Sequence, residues 1–177
     1  IMLWYVCQCK GDRTNRHNAL RNTVYADALL GNMGAEREKA GLLPARPRED
    51  DIICTGSSLE TQARSSGRRP ADVYLPRGVH GRPVALDFAC ISRLQSARLL
   101  DSVHNPSAVL TAYEQFKRDF KPHREDDTTE VQCTRQGLCF ISMVIESHSG
   151  SWGKEARQVL DAIAKHISAH GNAQEED

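Results

Sequence analysis

Apolar positions along this chain repeat with two different periods, and the change of period marks out its elements. Leu20, Val24 and the Ala28/Leu29 pair recur at helical spacing, with Asn15 suited to the N-cap and Gly31 to the end, so a helix is predicted over 16–30. Two short runs come later, Asp72-Val73-Tyr74-Leu75 and Val84-Ala85-Leu86-Asp87-Phe88-Ala89-Cys90. Arg77-Gly78-Val79-His80-Gly81 lies between them, and its two glycines predict a β-hairpin. Pro106 suits the first turn of a second helix through Val109, Leu110, Tyr113, Phe116, Lys117 and Phe120, stopped by Pro122. Leu138 to Glu146 is almost continuously apolar, as a strand covered on both faces reads. A last helix carries Ala156, Val159, Leu160, Ile163 and Ile167 and is expected to close at Gly171.

Residues 36–67 and 123–130 show no clear period, although Leu42-Leu43 and Ile52-Ile53-Cys54 each suit a short strand. The order helix, hairpin, helix, strand, helix predicts an α/β fold. The expected architecture is a single-domain sandwich, a small mixed central sheet with a β-hairpin, flanked by helices. It is expected to occupy 16–168, after a Cys-containing remnant of an upstream segment at 1–15 and before a disordered tail at 169–177.

A length of 177 residues allows about one domain with a real core. Charged residues make up 26% and cancel to a net charge of zero, so no global basic field advertises nucleic acid. Locally the balance differs, because Arg64, Arg68, Arg69, Arg77 and Arg82 surround the hairpin; an ordinary solvated surface is the other reading. The six cysteines form no regular framework, and Cys90 and Cys139 read as small core residues, so a reducing intracellular compartment is expected. No run approaches the ~18 apolar residues of a membrane span. The chain begins with Ile, which suggests a piece of a longer polypeptide.

Two aspartates interrupt the hairpin's apolar runs. Asp72 opens the first and Asp87 sits inside the second. An isolated buried carboxylate costs several kcal/mol. Two on adjacent strands repel unless a cation or a shared proton lies between them. The alternative is that Asp72 caps a turn and Asp87 pairs with a nearby arginine.

A helix opening Arg16-His17-Asn18, then Arg69-Pro70-Ala71-Asp72, then the Ala85-Leu86-Asp87 strand resembles the restriction-endonuclease-like domain at the C-terminal end of certain non-LTR retrotransposon reverse transcriptases. That domain belongs to the PD-(D/E)XK nuclease superfamily. The resemblance implies a metal-dependent DNA endonuclease that nicks target DNA for the reverse transcriptase of a parent polyprotein. Asp72, Asp87 and the Phe88 main-chain carbonyl would hold Mg²⁺ or Mn²⁺, with Glu146 as a weaker ligand. The lysine expected two residues after the second acid is replaced by Ala89; Lys117 on the following helix is the substitute, or else an ordinary solvent-facing lysine. Arg16, His17, Arg69 and Tyr113 are the implied nucleic-acid contacts, and Asp27 stands where the superfamily often has a helix glutamate. A zinc knuckle precedes this domain in such proteins, and Cys7 or Cys9 resembles its last ligand, but with the upstream pair missing no bound zinc is expected. The implied partners are DNA and the reverse transcriptase, with no membrane, and the location is nuclear if the element is eukaryotic. Two alternatives stay open: a catalytically decayed binding or interaction module of the same fold, and a stand-alone repair or resolvase-type nuclease.

Overall fold

Strands bury their apolar positions on a sheet and helices supply the stripes that cover it, so each period in the sequence needs the other. A computed structural model describes residues 10–43, 71–92, 105–121, 127–147 and 149–174. Within them the order is α1 (Lys10–Leu30), β1 (Glu36–Arg37), β2 (Val73–Leu75), β3 (Val84–Ile91), α2 (Pro106–Arg118), α3 (Thr129–Arg135), β4 (Cys139–Glu146) and α4 (Lys154–Gln174). The strands form one mixed sheet in the order β1-β2-β3-β4.

The predicted hairpin is present: β2 and β3 are antiparallel from Val73↔Leu86 to Leu75↔Val84. Its turn contains a 3-10 segment, Val79–Gly81. β1 adds antiparallel to β2, where the sequence showed no period because only Glu36 and Arg37 pair and both are exposed. β3 and β4 are parallel along their full length, from Val84↔Cys139 to Ile91↔Glu146. A parallel pair requires a crossover, and here α2 and α3 lie within it.

The sheet has one continuous apolar face and one divided face. On the first, Val73, Leu75, Val84, Leu86, Phe88 and Met143 pack against Val24 and Ala28 of α1 and Ala156, Val159 and Ile163 of α4. Each such side chain taken from water contributes about 1.5–3 kcal/mol if large. The opposite face carries two smaller clusters. Ala85 and Phe140 meet Cys133 of α3 and Leu138, while Ala89, Ile91 and Val144 meet Val109 and Leu110 of α2. Between these clusters lie Asp87 of β3 and Ser142 of β4, which are register partners.

Several boundaries differ from the sequence reading. α1 already runs from Lys10, so Asn15 is an exposed residue inside it and the expected boundary at 15 falls within a helix. At its other end Asn32, not Gly31, takes the left-handed conformation (φ 52°). Met33 N–H bonds Ala28 C=O and Asn32 N–H bonds Leu29 C=O, a Schellman ending. α4 continues through Gly171 to Gln174, so residues 169–174 are helical rather than a tail. A single glycine costs a helix only about 1 kcal/mol, and by itself does not end one. α2 starts as expected, with the Asn105 side chain accepting from Ala108 N–H and Pro106 in the first turn, but stops at Arg118. α3 was not foreseen; Thr128 caps it and only Cys133 is buried, which is too little apolar pattern to announce a helix. Ile52-Ile53-Cys54, Cys7 and Cys9 lie outside the described residues. No helix among the described residues is long and apolar enough to cross a membrane.

Gly78 closes the hairpin turn, its N–H bonding Arg82 C=O at 3.1 Å. A Cβ there would lie 2.3 Å from Val84 Cγ2 and 2.6 Å from Arg82 O. Gly78→Ala is therefore expected to cost about 1–3 kcal/mol, read as a lower urea midpoint with an unchanged slope.

Candidate active site

Asp72 stands at the point where β2 begins and β3 loses its partner. Among the described residues the β2 ladder reaches only Leu86, leaving Asp87 to Ile91 without a β2 residue opposite. Asp72 is fixed there by three bonds. Its N–H donates to Leu86 C=O at 2.8 Å, its C=O accepts from Glu38 N–H at 2.9 Å, and its Oδ2 accepts from Phe88 N–H at 2.8 Å. The carboxylate thus takes the place a strand carbonyl would have held.

His17 approaches the same oxygen. It lies on the α1 stripe continued by Leu20, Val24 and Ala28, and its Nε2 is 3.1 Å from Asp72 Oδ2. A carboxylate acceptor requires the proton on Nε2. The ring also meets Phe88 edge-on, at 6.5 Å between centroids. Arg21, one turn on, pairs with Glu38 at 2.6 Å and so ties α1 to the chain that holds Asp72.

Asp87 opens onto the divided face, where Lys117 of α2 places its ammonium 2.8 Å from Asp87 Oδ2. The end of α2 is held by a second set of charges. Glu114, 4% exposed, puts its carboxylate over the start of α4, accepting from Glu155 N–H at 3.4 Å. Negative charge at a helix N-terminus is favourable. Gly153 makes this approach possible, since a Cβ there would lie 1.9 Å from Glu114 Oε1. Arg118 pairs with Glu155. One residue before Arg118, Lys117 is carried to Asp87 by that anchored turn.

The side chains of His17, Asp72, Asp87 and Lys117 keep between 20% and 28% of their surface in solvent. They are reachable, yet desolvated enough for charge to matter. Burial pushes the Asp87 carboxyl above the ordinary aspartate range; Lys117 pulls it back part of the way, the Asp72 charge pushes it up again and His17 opposes that. Burial wins even against an ion pair at 2.8 Å, so further positive charge beside Asp87 would be favoured. The donors available to a cation are the Asp72 and Asp87 carboxylates and the Phe88 carbonyl, all hard oxygens. Such a set suits Mg²⁺ or Mn²⁺ completed by water. Among the described residues no three His, Cys, Asp or Glu side chains form a ready-made metal cage.

Comparison with protein-family models, with curated proteins and with solved structures finds no match to this chain. The site therefore rests on its own geometry.

Of the residues named from sequence, Asp72, Asp87, His17 and Lys117 come together, with the Phe88 backbone between the two acids. Glu146 does not join them. It is fully buried four residues beyond Ser142 on β4, about 13 Å along a strand, and its Oε2 accepts from Ser149 N–H and Ser149 Oγ, both at 2.7 Å. Its role there is to hold the β4–α4 turn. Tyr113 packs on the Val109–Leu110 cluster and Arg16 is exposed beside His17. Asp27 is half-buried, ten residues beyond His17 and about 15 Å along α1. Arg77 donates to Asn32 C=O at 3.2 Å and so braces the end of α1, whereas Arg64, Arg68 and Arg69 lie outside the described residues.

Two residues escaped the sequence reading. Ser142 is fully buried beside Asp87 with its Oγ lacking a partner among the described residues, hidden by its place in a long apolar run. Glu114 had a visible signal, a glutamate one turn from Leu110 on the apolar side of its helix.

The folded Asp87 keeps its proton to higher pH than the unfolded chain does, so stability falls as pH rises from about 4 through the raised value, and the penalty persists above it. Asp87→Asn is expected to raise the melting temperature at pH 8, with the gap to wild type closing near pH 4; calorimetry at both pH values reads it. Ser142→Ala removes an unpaired buried hydroxyl and is expected to stabilise by about 1 kcal/mol, measured by urea unfolding.

Proposed function

We propose that this chain is a metal-dependent DNA endonuclease of the restriction-endonuclease-like kind, serving to nick target DNA for a retrotransposon-type reverse transcriptase. The observation that carries the reading is that Asp72, at the head of β2, and Asp87 of β3 lie close enough to interact, with the Lys117 ammonium brought to Asp87 from another element. Asp72, Asp87 and the Phe88 carbonyl would hold Mg²⁺ or Mn²⁺. That ion, when bound, supplies a Lewis acid for the scissile phosphate and lowers the pKa of an attacking water.

The chain's own groups account for the rest. Asp72 is kept in one orientation by Phe88 N–H and His17 Nε2, so its second oxygen stays available. Lys117 carries a positive charge within reach of Asp87 and neutralises charge developing on phosphate oxygens. His17 acts through Asp72 as a positioning residue. The mixed four-stranded sheet flanked by helices supports the same reading at the level of architecture.

Supercoiled-plasmid nicking in Mg²⁺ or Mn²⁺ tests this. Wild type is expected to nick, Asp72→Ala and Asp87→Ala to lose at least 1000-fold (on the order of 4 kcal/mol of barrier), and Lys117→Ala to lose roughly 100-fold or more. A decayed binding module would bind DNA without nicking in either metal. Binding of the ion has its own readout: millimolar Mn²⁺ is expected to raise the melting temperature of wild type but not of Asp72→Ala or Asp87→Ala.

A further inference from the structure

Beside Lys117, α2 carries aromatic side chains that the core does not use. Tyr113, Phe116 and Lys117 occupy positions i, i+3 and i+4, and Phe120 follows at i+7 just past the helix end, so all four share one side. Their rings form a ladder. Tyr113 and Phe116 are 5.6 Å apart between centroids, and Phe116 and Phe120 are 6.4 Å apart. Tyr113 roots the ladder in the Val109–Leu110 cluster, while Phe116 and Phe120 are 55% and 48% exposed. Burial does not explain the two outer rings.

We infer that Phe116 and Phe120 are a stacking platform for unpaired nucleobases, and that the site acts on DNA with a single-stranded stretch beside the scissile phosphate. The inference rests on the nuclease reading and deepens it. Three observations favour bases over a protein partner. The platform is continuous with Lys117, whose ammonium reaches Asp87 at 2.8 Å, so a strand whose phosphate meets that ammonium brings its bases to the rings. Lys121, exposed and next to Phe120 in sequence, adds a cation for a backbone beside the second ring. The two half-exposed rings offer roughly 100 Å² each, far below the ~800 Å² per partner of a stable protein interface. Paired bases keep their faces inside the duplex; only an unpaired strand presents them.

The test is fluorescence anisotropy in EDTA, where no cleavage occurs, with dye-labelled single-stranded DNA and a duplex of the same length. Wild type is expected to prefer the single strand. Phe116→Leu and Phe120→Leu keep apolar bulk but lose the π-face, and each is expected to weaken single-strand binding roughly 5- to 100-fold while barely moving duplex binding. Phe116→Trp is expected to restore or improve it. A 2-aminopurine base in the strand should be quenched by wild type and by Phe116→Trp, and less by either Leu variant. Equal single-strand affinity for wild type and the Leu variants overturns the platform, as does self-association in sedimentation that the Leu variants lose. The two readings fail separately: Asp87→Ala should keep single-strand binding while losing nicking. Nicking with no Leu effect sinks only the platform, and stacking with no nicking sinks only the nuclease.

Discussion

The bond from Phe88 N–H to the Asp72 carboxylate is the constraint on which the site depends. β3 continues past the end of its β2 partner, and its exposed N–H must bond to something. The acid takes that bond through a side chain, which fixes one carboxylate oxygen and leaves the other without a partner among the described residues. Because Asp72 is also bonded through its own N–H and C=O, the acid is set by the sheet rather than by rotamer preference. His17 then needs only to sit on the buried stripe of α1 to find the same oxygen. Packing that serves the core thereby orients the site.

The second acid is placed by a different device. The face of the sheet opposite α1 and α4 does not close into one core, and the seam between its two clusters holds Asp87 and Ser142. A continuous apolar face there would have added stability and left no place for the acid. The seam keeps Asp87 desolvated, and the rise in its pKa, which persists against Lys117, is the physical sign that this arrangement opposes the fold at neutral pH. The Glu114–Arg118–Glu155 set anchors the end of α2, and with it the lysine.

The elements that sequence announced were those whose period reflects burial on one face. The bodies of α1, α2 and α4 have such a period, and β4 announced itself instead by a nearly unbroken apolar run. β1 and α3 did not announce themselves, since one has two exposed residues and the other buries only Cys133. Leu29 shows the limit of period alone: it shares the Ala28 position in spacing but is 46% exposed, because Ala28 is the residue that faces the sheet.

Residue types and spacing by themselves determined the two acids interrupting apolar strands, the glycine-bounded turn between them and the absence of a lysine after Asp87. These are properties of the hairpin, and a hairpin is local. Which cation answers Asp87 was decided by tertiary structure, since Lys117 is thirty residues away and reaches the seam only once β4 has paired parallel to β3 and α2 has packed on both. The fate of Glu146 was decided the same way. An acid ending an apolar strand reads as a ligand until the turn beyond it folds back and Ser149 takes the carboxylate. Long-range contacts leave little trace in a single sequence, because the chain between the partners sets neither their distance nor their direction.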